Sequence, residues 1–175
     1  NRGFFVDIGD TEFWLLEEIS RDFGDIVVKT HCIPNEYIEK ILLQQLGKAT
    51  FCYRDPRDII LSAIDHWKRT REGLDRSGAY HDLFDIDQGI IRIKKWFNMF
   101  VEWKKIENVL FIKYEELIQD KIGIINALMR YFHLDLSEAS LYSIYEKHEK
   151  LKISAWNFNV GKCFRWRDEM DSNQI

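Results

Sequence analysis

Arg54, Ser62 and His31 have side-chain types and positions suited to a reaction on an anionic substrate. Arg54 and Ser62 lie eight residues apart, and His31 follows an apolar run of the chain. A guanidinium offers a planar fork of donors to a phosphate, and a hydroxyl can add one further donor. An imidazole titrates close to neutral pH and can take a proton as a general base. Together the three residues predict an anion site that works with a base.

The residues around Arg54 predict a strand that leads into a helix. Residues 50–53 are a short apolar run, and Asp55 and Pro56 then begin a helix as its N-cap and first residue. The apolar residues that follow recur at helical spacing, at Ile60, Ala63, Ile64 and Trp67. Open α/β sheets bind anions where a strand leads into a helix N-terminus, because backbone N–H groups and the positive end of the helix dipole meet there.

The rest of the chain alternates predicted strands and helices. Residues 25–30 predict a parallel strand with His31 just beyond its C-terminal end, which is the edge where active sites of α/β proteins collect. Further elements are expected as a helix capped by Asn35 and ending at Gly47, a helix over 90–104, a strand over 108–114, a helix from 115 to 132, and one capped by Ser137 through about 149. This order predicts an α/β fold with three layers, in which helices flank a mainly parallel central sheet.

Composition and charge narrow the class of protein. The 175 residues are 46% hydrophobic, which predicts one buried core and a single domain over residues 1–175. The net charge of −4 argues against a nucleic-acid partner, and no apolar run is long enough to cross a bilayer. The cysteines lack metal-ligand spacing, so we expect no metal and interpret them as reduced thiols of a cytoplasmic protein; they are Cys32, Cys52 and Cys163.

The segment around Arg54 resembles the 3′-phosphate-binding motif of the sulfotransferases that use 3′-phosphoadenosine 5′-phosphosulfate (PAPS). The family pattern is a strand, then Arg-Asp-Pro-Arg-Asp, then a Ser eight residues after the first Arg, and Arg54 and Ser62 match it. Residues 28–31, Val-Lys-Thr-His, resemble the strand that carries the catalytic His of the family. The resemblance implies a P-loop NTPase-like sulfotransferase fold, with His31 as the general base and Arg54 and Ser62 on the 3′-phosphate of PAPS.

Two further segments resemble parts of the family that enclose the nucleotide. Residues 108–117 resemble a strand that ends in Tyr-Glu-Asp-Leu, which implies that Tyr114 lies near the nucleotide. Ser143 and Tyr145 fall roughly where the family has Thr-Ser-Phe around the adenine.

The tail resembles the Arg-Lys-Gly-x-x-Gly-x-Trp loop that closes over the 3′-phosphate in the family. This resemblance implies that Gly161 and Lys162 help to bind PAPS. Three positions depart from the pattern: Asn159 and Val160 replace the Arg and Lys, and Phe164 replaces the second Gly. The missing charge is left to one of three candidates, Lys162, Arg165 or Arg167.

Each residue also has a purely structural interpretation. Arg54 could pair only with Asp55 or Asp58, Ser62 could face solvent, and His31 could cap the end of its strand. The spacing and the order of the matching segments favour the functional interpretation.

The phosphosulfate loop of the family, a Pro-Lys-Ser-Gly-Thr-Thr-Trp type of segment, does not occur in the chain, which begins with Asn1. We therefore expect an N-terminally incomplete fold whose loop lies upstream.

The predicted function is transfer of a sulfuryl group from PAPS to a hydroxyl or amine of a small-molecule acceptor, with residues 72–89 as a lid on the acceptor side. The alternatives are an inactive sulfotransferase-like module that binds a nucleotide or partner, and a nucleotide kinase, although GxxxxGK[ST] is absent. The acceptor and the oligomeric state do not follow from the sequence.

Overall fold

The computed structural model describes residues 5–7, 15–74, 80, 82–152 and 161–175. The fold is α/β with parallel strand pairing, as predicted. The strands are β1 (Phe5–Asp7), β2 (Val27–Lys29), β3 (Ala49–Tyr53) and β4 (Val109–Lys113). The helices are α1 (Leu15–Phe23), α2 (Glu36–Leu43), α3 (Pro56–Arg71), α4 (Ile86–Lys104), α5 (Tyr114–Gln119), α6 (Lys121–Phe132), α7 (Glu138–Lys152) and α8 (Trp166–Glu169).

The chain divides into two compact units. The first comprises Asn1–Thr50 and Asn98–Val109, and the second comprises Phe51–Phe97 and Leu110–Ile175. That these units form a single domain over residues 1–175 stays a prediction. Among the described residues, no helix combines the length and the apolar character needed to cross a membrane.

In the first unit, β1 and β2 pair in parallel, with Phe5 opposite Val27 and Asp7 opposite Lys29. The strand predicted over residues 25–30 is therefore present but shorter, with the three residues of β2 paired to the three of β1.

Helix α2 begins and ends by local hydrogen bonds. The Asn35 side chain accepts the Ile38 N–H at 3.0 Å, which confirms the predicted N-cap. The helix ends at Leu43, whereas the sequence predicted that it ends at Gly47. The reason is that Gln45 takes a left-handed conformation, with φ +56°, which turns the chain out of the helix.

The second unit is built around α3. Asp55 caps this helix and Pro56 is its first residue, as predicted. Its apolar face joins a buried cluster formed by Ile60, Leu61, Ala63, Ile64, Leu83 and Met170. The helical spacing read from the sequence is thus confirmed for three of its four positions, Ile60, Ala63 and Ile64, which are buried.

Strands β3 and β4 lie side by side in one sheet. The Phe111 ring centroid lies 5.7 Å from that of Phe51 and 6.5 Å from that of Tyr53. Strand β4 ends at Lys113, so Tyr114 begins α5 instead of ending the strand. These aromatic contacts hold the end of β3 against β4 just before the chain reaches Arg54.

Three further helix boundaries differ from the sequence prediction. Helix α4 begins at Ile86 rather than at residue 90, because Asp85 accepts the Gln88 N–H at 2.8 Å and caps an earlier turn. The helix expected from 115 to 132 is interrupted at Asp120, whose side chain accepts the Gly123 N–H and starts α6. Ser137 precedes α7 as predicted, with its hydroxyl accepting the Ser140 N–H, and α7 continues to Lys152. Of the predicted lid, residues 75–79 and 81 lie outside the described residues.

Candidate functional site

Arg54 lies at the corner between β3 and α3. Strand β3 ends at Tyr53 and α3 begins at Pro56, so Arg54 and Asp55 make the turn between them. The Asp55 carboxylate accepts the backbone N–H and the side-chain Nε–H of Arg57, both at 3.0 Å. This local network fixes the start of α3, which is where the sequence predicted an anion site.

The Arg54 side chain is 15% exposed and is held by three neighbours. Its Nη2 donates to the Lys162 carbonyl at 2.5 Å and lies 3.4 Å from Asp58 Oδ2. Its Cζ lies 4.5 Å from the Tyr114 ring centroid. Arg54 Nε is buried and has no hydrogen-bond partner within the described part of the chain. The structure therefore brings Arg54, Tyr114 and Lys162 together, and the Nε–H of the guanidinium is a donor that no described group satisfies.

Tyr114 and Glu115 join the end of β4 to the start of α3. Glu115 is 3% exposed, and its Oε1 accepts the Asp55 N–H at 3.1 Å. Burial raises the pKa of the Tyr114 hydroxyl, and the nearby Arg54 guanidinium partly opposes that rise. Tyr114 is therefore a neutral phenol at physiological pH, able to donate a hydrogen bond.

Asp58 connects α3 to the C-terminal tail. Its side chain is fully buried, and its carboxylate accepts the backbone N–H of Phe164 at 2.6 Å and of Trp166 at 3.2 Å. Arg57 adds a second connection, because its Cζ lies 3.4 Å from the Trp166 ring centroid. Sequence reasoning treated Asp58 only as a possible ion-pair partner of Arg54. The available signal was its position four residues after Arg54, which places an acidic residue one helical turn from the anion site.

Two residues of the tail adopt left-handed backbone conformations. Gly161 has φ +65° and Phe164 has φ +63°. These are the positions at which the family pattern has glycines, and glycine adopts such a backbone conformation without the steric cost of a Cβ. Phe164 adopts the left-handed conformation at a steric cost that a glycine would not have.

The three cations proposed to replace the missing charge of the tail have different surroundings. Arg165 contacts Asp65 at 2.6 Å and both oxygens of Glu169 at 2.7 and 2.8 Å, and the bonds to Glu169 and Asp65 raise the pKa of its guanidinium. Arg167 packs its Cζ 4.8 Å from the Phe164 ring centroid. Lys162 is exposed, and in the described residues its ammonium has no ion pair. Arg165 is therefore occupied structurally, whereas Lys162 can reach a ligand.

Three other predicted site residues make no contact with Arg54 within the described part of the chain. Ser62 is half-buried on α3, eight residues after Arg54. Ser143 is exposed on α7, and the Tyr145 ring centroid lies 5.4 Å from Lys121 Nζ. Their roles as nucleotide contacts stay predictions.

His31 belongs to the first unit and lies two residues after β2, with its side chain exposed. Hydrogen bonds fix the backbone that follows it: the Cys32 N–H donates to Thr30 Oγ1 at 3.1 Å, and the Trp103 indole donates to the Cys32 carbonyl at 3.0 Å. His31 thus follows the end of a strand, as predicted, and its role as a base stays a prediction.

The described residues contain no cluster of three or more potential metal-ligating side chains.

A family model described as Sulfotransferase domain matches residues 24–175. Sulfotransferase 2A6 of Rattus norvegicus is 24% identical over 167 residues, which are 87% of this chain and 58% of the relative. Sulfotransferase 2B1 of Mus musculus is 27% identical over 121 residues, which are 67% of this chain and 36% of the relative. The chain spans less than two thirds of the length of either relative.

Two solved structures are similar to this chain over most of its length. Mouse sulfotransferase SULT7A1 complexed with PAP has a TM-score of 0.69 at 19% identity, covering 97% of this chain and 70% of that one. Retinol dehydratase in complex with androsterone and inactive cofactor PAP has a TM-score of 0.63 at 23% identity, covering 92% of this chain and 52% of that one. At these identities the similarity establishes the α/β fold.

Proposed function

The chain belongs to the sulfotransferase family, and we propose that it transfers a sulfuryl group from PAPS to a hydroxyl or amine of a small-molecule acceptor. Membership supports sulfuryl transfer in general, and the two structural neighbours contain PAP. The observation that carries the proposal is the partly buried Arg54 guanidinium at the N-terminus of α3, whose buried Nε donor has no partner among the described residues.

Arg54 is the proposed ligand of the 3′-phosphate. A phosphate at this corner meets a guanidinium and the positive end of a helix of 16 residues, and both favour an anion. Ser62 would add a hydroxyl donor from the next turns of α3, and the Tyr114 phenol would enclose the nucleotide from the other side of the guanidinium. We assign Ser143 and Tyr145 to the adenine, following the resemblance.

Lys162 is the proposed substitute for the missing Arg-Lys pair of the tail. Its carbonyl accepts from Arg54, so its backbone lies directly against the proposed phosphate ligand, and its exposed ammonium can turn toward the same anion. Gly161 precedes it with φ +65°, which lets the backbone approach closely. Arg165 is a poorer candidate because Asp65 and Glu169 already hold its guanidinium.

His31 is the proposed general base. As the acceptor oxygen or nitrogen attacks sulfur, its proton passes to the imidazole, a new bond to sulfur forms, and the bond between sulfur and the bridging oxygen of PAPS breaks to leave 3′,5′-adenosine diphosphate. The androsterone in the retinol dehydratase structure supports a small-molecule acceptor. The three cysteines form no disulfide, which supports a reducing compartment such as the cytoplasm.

The test of the nucleotide site is Arg54→Ala, titrated calorimetrically with 3′,5′-adenosine diphosphate and with 5′-AMP. Loss of one charge-assisted contact is expected to weaken binding of 3′,5′-adenosine diphosphate by about ten- to a hundredfold, and binding of 5′-AMP by less than about twofold. Arg92→Ala is the control, because Arg92 pairs with Asp82 at 2.6 Å elsewhere on the surface. Equal losses for the two nucleotides would mean that Arg54 does not recognise the 3′-phosphate.

A further inference from the structure

Asp58 is a fully buried carboxylate whose hydrogen-bond partners come from a distant part of the chain. Oδ2 accepts the Phe164 N–H at 2.6 Å and Oδ1 accepts the Trp166 N–H at 3.2 Å. A buried charge is costly unless donors surround it, so these two amides compensate for the desolvation of the carboxylate. Both oxygens of Asp58 are therefore committed to the tail.

The same carboxylate also holds Arg54. Arg54 Nη2 lies 3.4 Å from Asp58 Oδ2 and donates at 2.5 Å to the carbonyl of Lys162, two residues before Phe164. Asp58, Arg54 and the tail thus form a closed ring of contacts. The orientation of the guanidinium and the position of the tail depend on one side chain.

The tail conformation at this point is unfavourable by itself. Phe164 has φ +63°, a region that residues other than glycine rarely adopt and that costs about 1–2 kcal/mol. The N–H that donates to Asp58 Oδ2 is that of Phe164 itself. The bond to Asp58 therefore offsets the cost at the residue that bears it, and without the carboxylate the tail is free to relax.

A second acidic residue of α3 contacts the tail in a different way. Asp65 accepts from the Arg165 side chain at 2.6 Å, and Arg165 also binds Glu169. Asp65 binds the tail through the side chain of Arg165, whereas Asp58 binds the backbone N–H groups of Phe164 and Trp166. Asp65 is thus a matched comparison for an acidic residue of α3 that contacts the tail through a side chain.

We propose that Asp58 is a positioning residue, which holds residues 161–166 closed against Arg54 and thereby sets the preference for a 3′-phosphate. The proposal rests on the nucleotide site assigned above. It predicts that loss of the carboxylate releases the Phe164 and Trp166 amides and lets the guanidinium turn away from the phosphate, while contacts to the rest of the nucleotide persist.

The test compares Asp58→Asn with Asp65→Asn by amide hydrogen exchange and by calorimetric titration with 3′,5′-adenosine diphosphate and 5′-AMP. Asn has the size of Asp but turns an NH₂ donor toward a backbone donor. Asp58→Asn is expected to speed exchange at Phe164 and Trp166 by at least about tenfold and to weaken 3′,5′-adenosine diphosphate by about tenfold, with 5′-AMP within about twofold. Asp65→Asn is expected to change the affinity ratio of the two nucleotides by less than about twofold.

Two results would overturn the proposal. One is an Asp58→Asn protein with the exchange rates and nucleotide preference of the wild type. The other is an equal loss of affinity for both nucleotides, which a general loss of structure would cause. If Asp58→Asn does not fold, exchange in the wild type decides: protected Phe164 and Trp166 amides that slow further with 3′,5′-adenosine diphosphate support the proposal, and exchange at the rate of an unstructured peptide refutes it.

The two proposals fail in distinguishable ways. A wild-type protein that prefers 5′-AMP, or neither nucleotide, contradicts the assignment of Arg54 to a 3′-phosphate. The exchange rates at Phe164 and Trp166 in Asp58→Asn still report whether Asp58 holds the tail.

Discussion

Phe164 combines an apolar side chain with a backbone conformation that favours glycine. Its φ of +63° costs about 1–2 kcal/mol for an L-residue with a Cβ. Its ring packs 4.8 Å from Arg167 Cζ, so the side chain contributes to the tail even though the backbone is strained. The strain lies beside Lys162 and Arg54, at the proposed nucleotide site, which is where strained residues tend to occur.

Two variants of Phe164, to Ala and to Gly, are therefore expected to differ in stability in an unusual order. Phe164→Ala loses the ring and keeps the strain, whereas Phe164→Gly loses the ring and removes the strain. We expect the Gly variant to be more stable than the Ala variant by about 1 kcal/mol, measured by urea unfolding. At Phe97, within α4, the opposite order is expected, because Gly in a helix costs about 1 kcal/mol relative to Ala. A Gly variant less stable than the Ala variant at position 164 would contradict the strain.

At the scale of elements, α4 supports the segment that carries His31. Trp103 is 6% exposed near the end of α4, and its indole N–H donates to the Cys32 carbonyl at 3.0 Å. The Cys32 N–H in turn donates to Thr30 Oγ1. The residues on both sides of His31 are thus held by hydrogen bonds, which is the order expected around a base.

Trp103→Phe keeps an aromatic ring and removes the indole donor. A lost hydrogen bond of this kind is expected to lower the free energy of unfolding by about 1–2 kcal/mol, measured in urea. If His31 is the base, the transfer rate from PAPS should also fall, while the affinity for 3′,5′-adenosine diphosphate stays within about twofold. His31→Ala gives the reference for full loss of the base, about a hundredfold or more.

Trp96→Phe, on the same helix, is the control for Trp103→Phe. The Trp96 ring lies 6.0 Å from that of Tyr80, and this ring contact survives the exchange for Phe. The control should keep the transfer rate of the wild type. Equal rates in Trp103→Phe and the wild type would mean that this hydrogen bond does not position His31.

At the scale of the whole molecule, stability should depend on pH through Asp55. Burial acts to raise the pKa of this carboxyl, but hydrogen bonds and charge attraction from Arg57 outweigh burial and hold the pKa below its ordinary value of 3.8. A carboxyl with a lowered pKa in the folded state binds fewer protons than in the unfolded state. The contribution of Asp55 to the free energy of unfolding is therefore complete above the ordinary pKa, and it is lost as the pH falls through the pKa of the folded state.

Asp55→Asn tests this sign, because Asn can still cap α3 but cannot pair with Arg57 as a charge. We expect the variant to be less stable than the wild type at pH 7 and the difference to shrink below about pH 4, measured by urea unfolding at several pH values. Asn35→Ala removes a cap that does not titrate, so its own difference from the wild type should not vary with pH through the cap. A difference for Asp55→Asn that stays constant down to pH 2.5 would contradict the expected pH dependence.

The amino-acid sequence by itself determined the local features of this protein. The caps at Asn35, Asp55 and Ser137 were predicted correctly, because a capping side chain bonds to a backbone N–H within three residues. The corner at Arg54 and the strand end before His31 were predicted for the same reason, since a change from strand to helix shows in adjacent residues. The α/β fold was predicted from the alternation of strands and helices along the chain.

Only the tertiary structure decided which distant residues meet. Asp58 and Phe164 are 106 positions apart, and nothing near either residue indicates that they bind. The end of α2 at Leu43 and the break at Asp120 were likewise missed, because left-handed or extended residues other than glycine leave little trace in the sequence. Contacts between remote segments form by chain folding, and their partners are set by the packing of the core, which short-range patterns of residues do not encode.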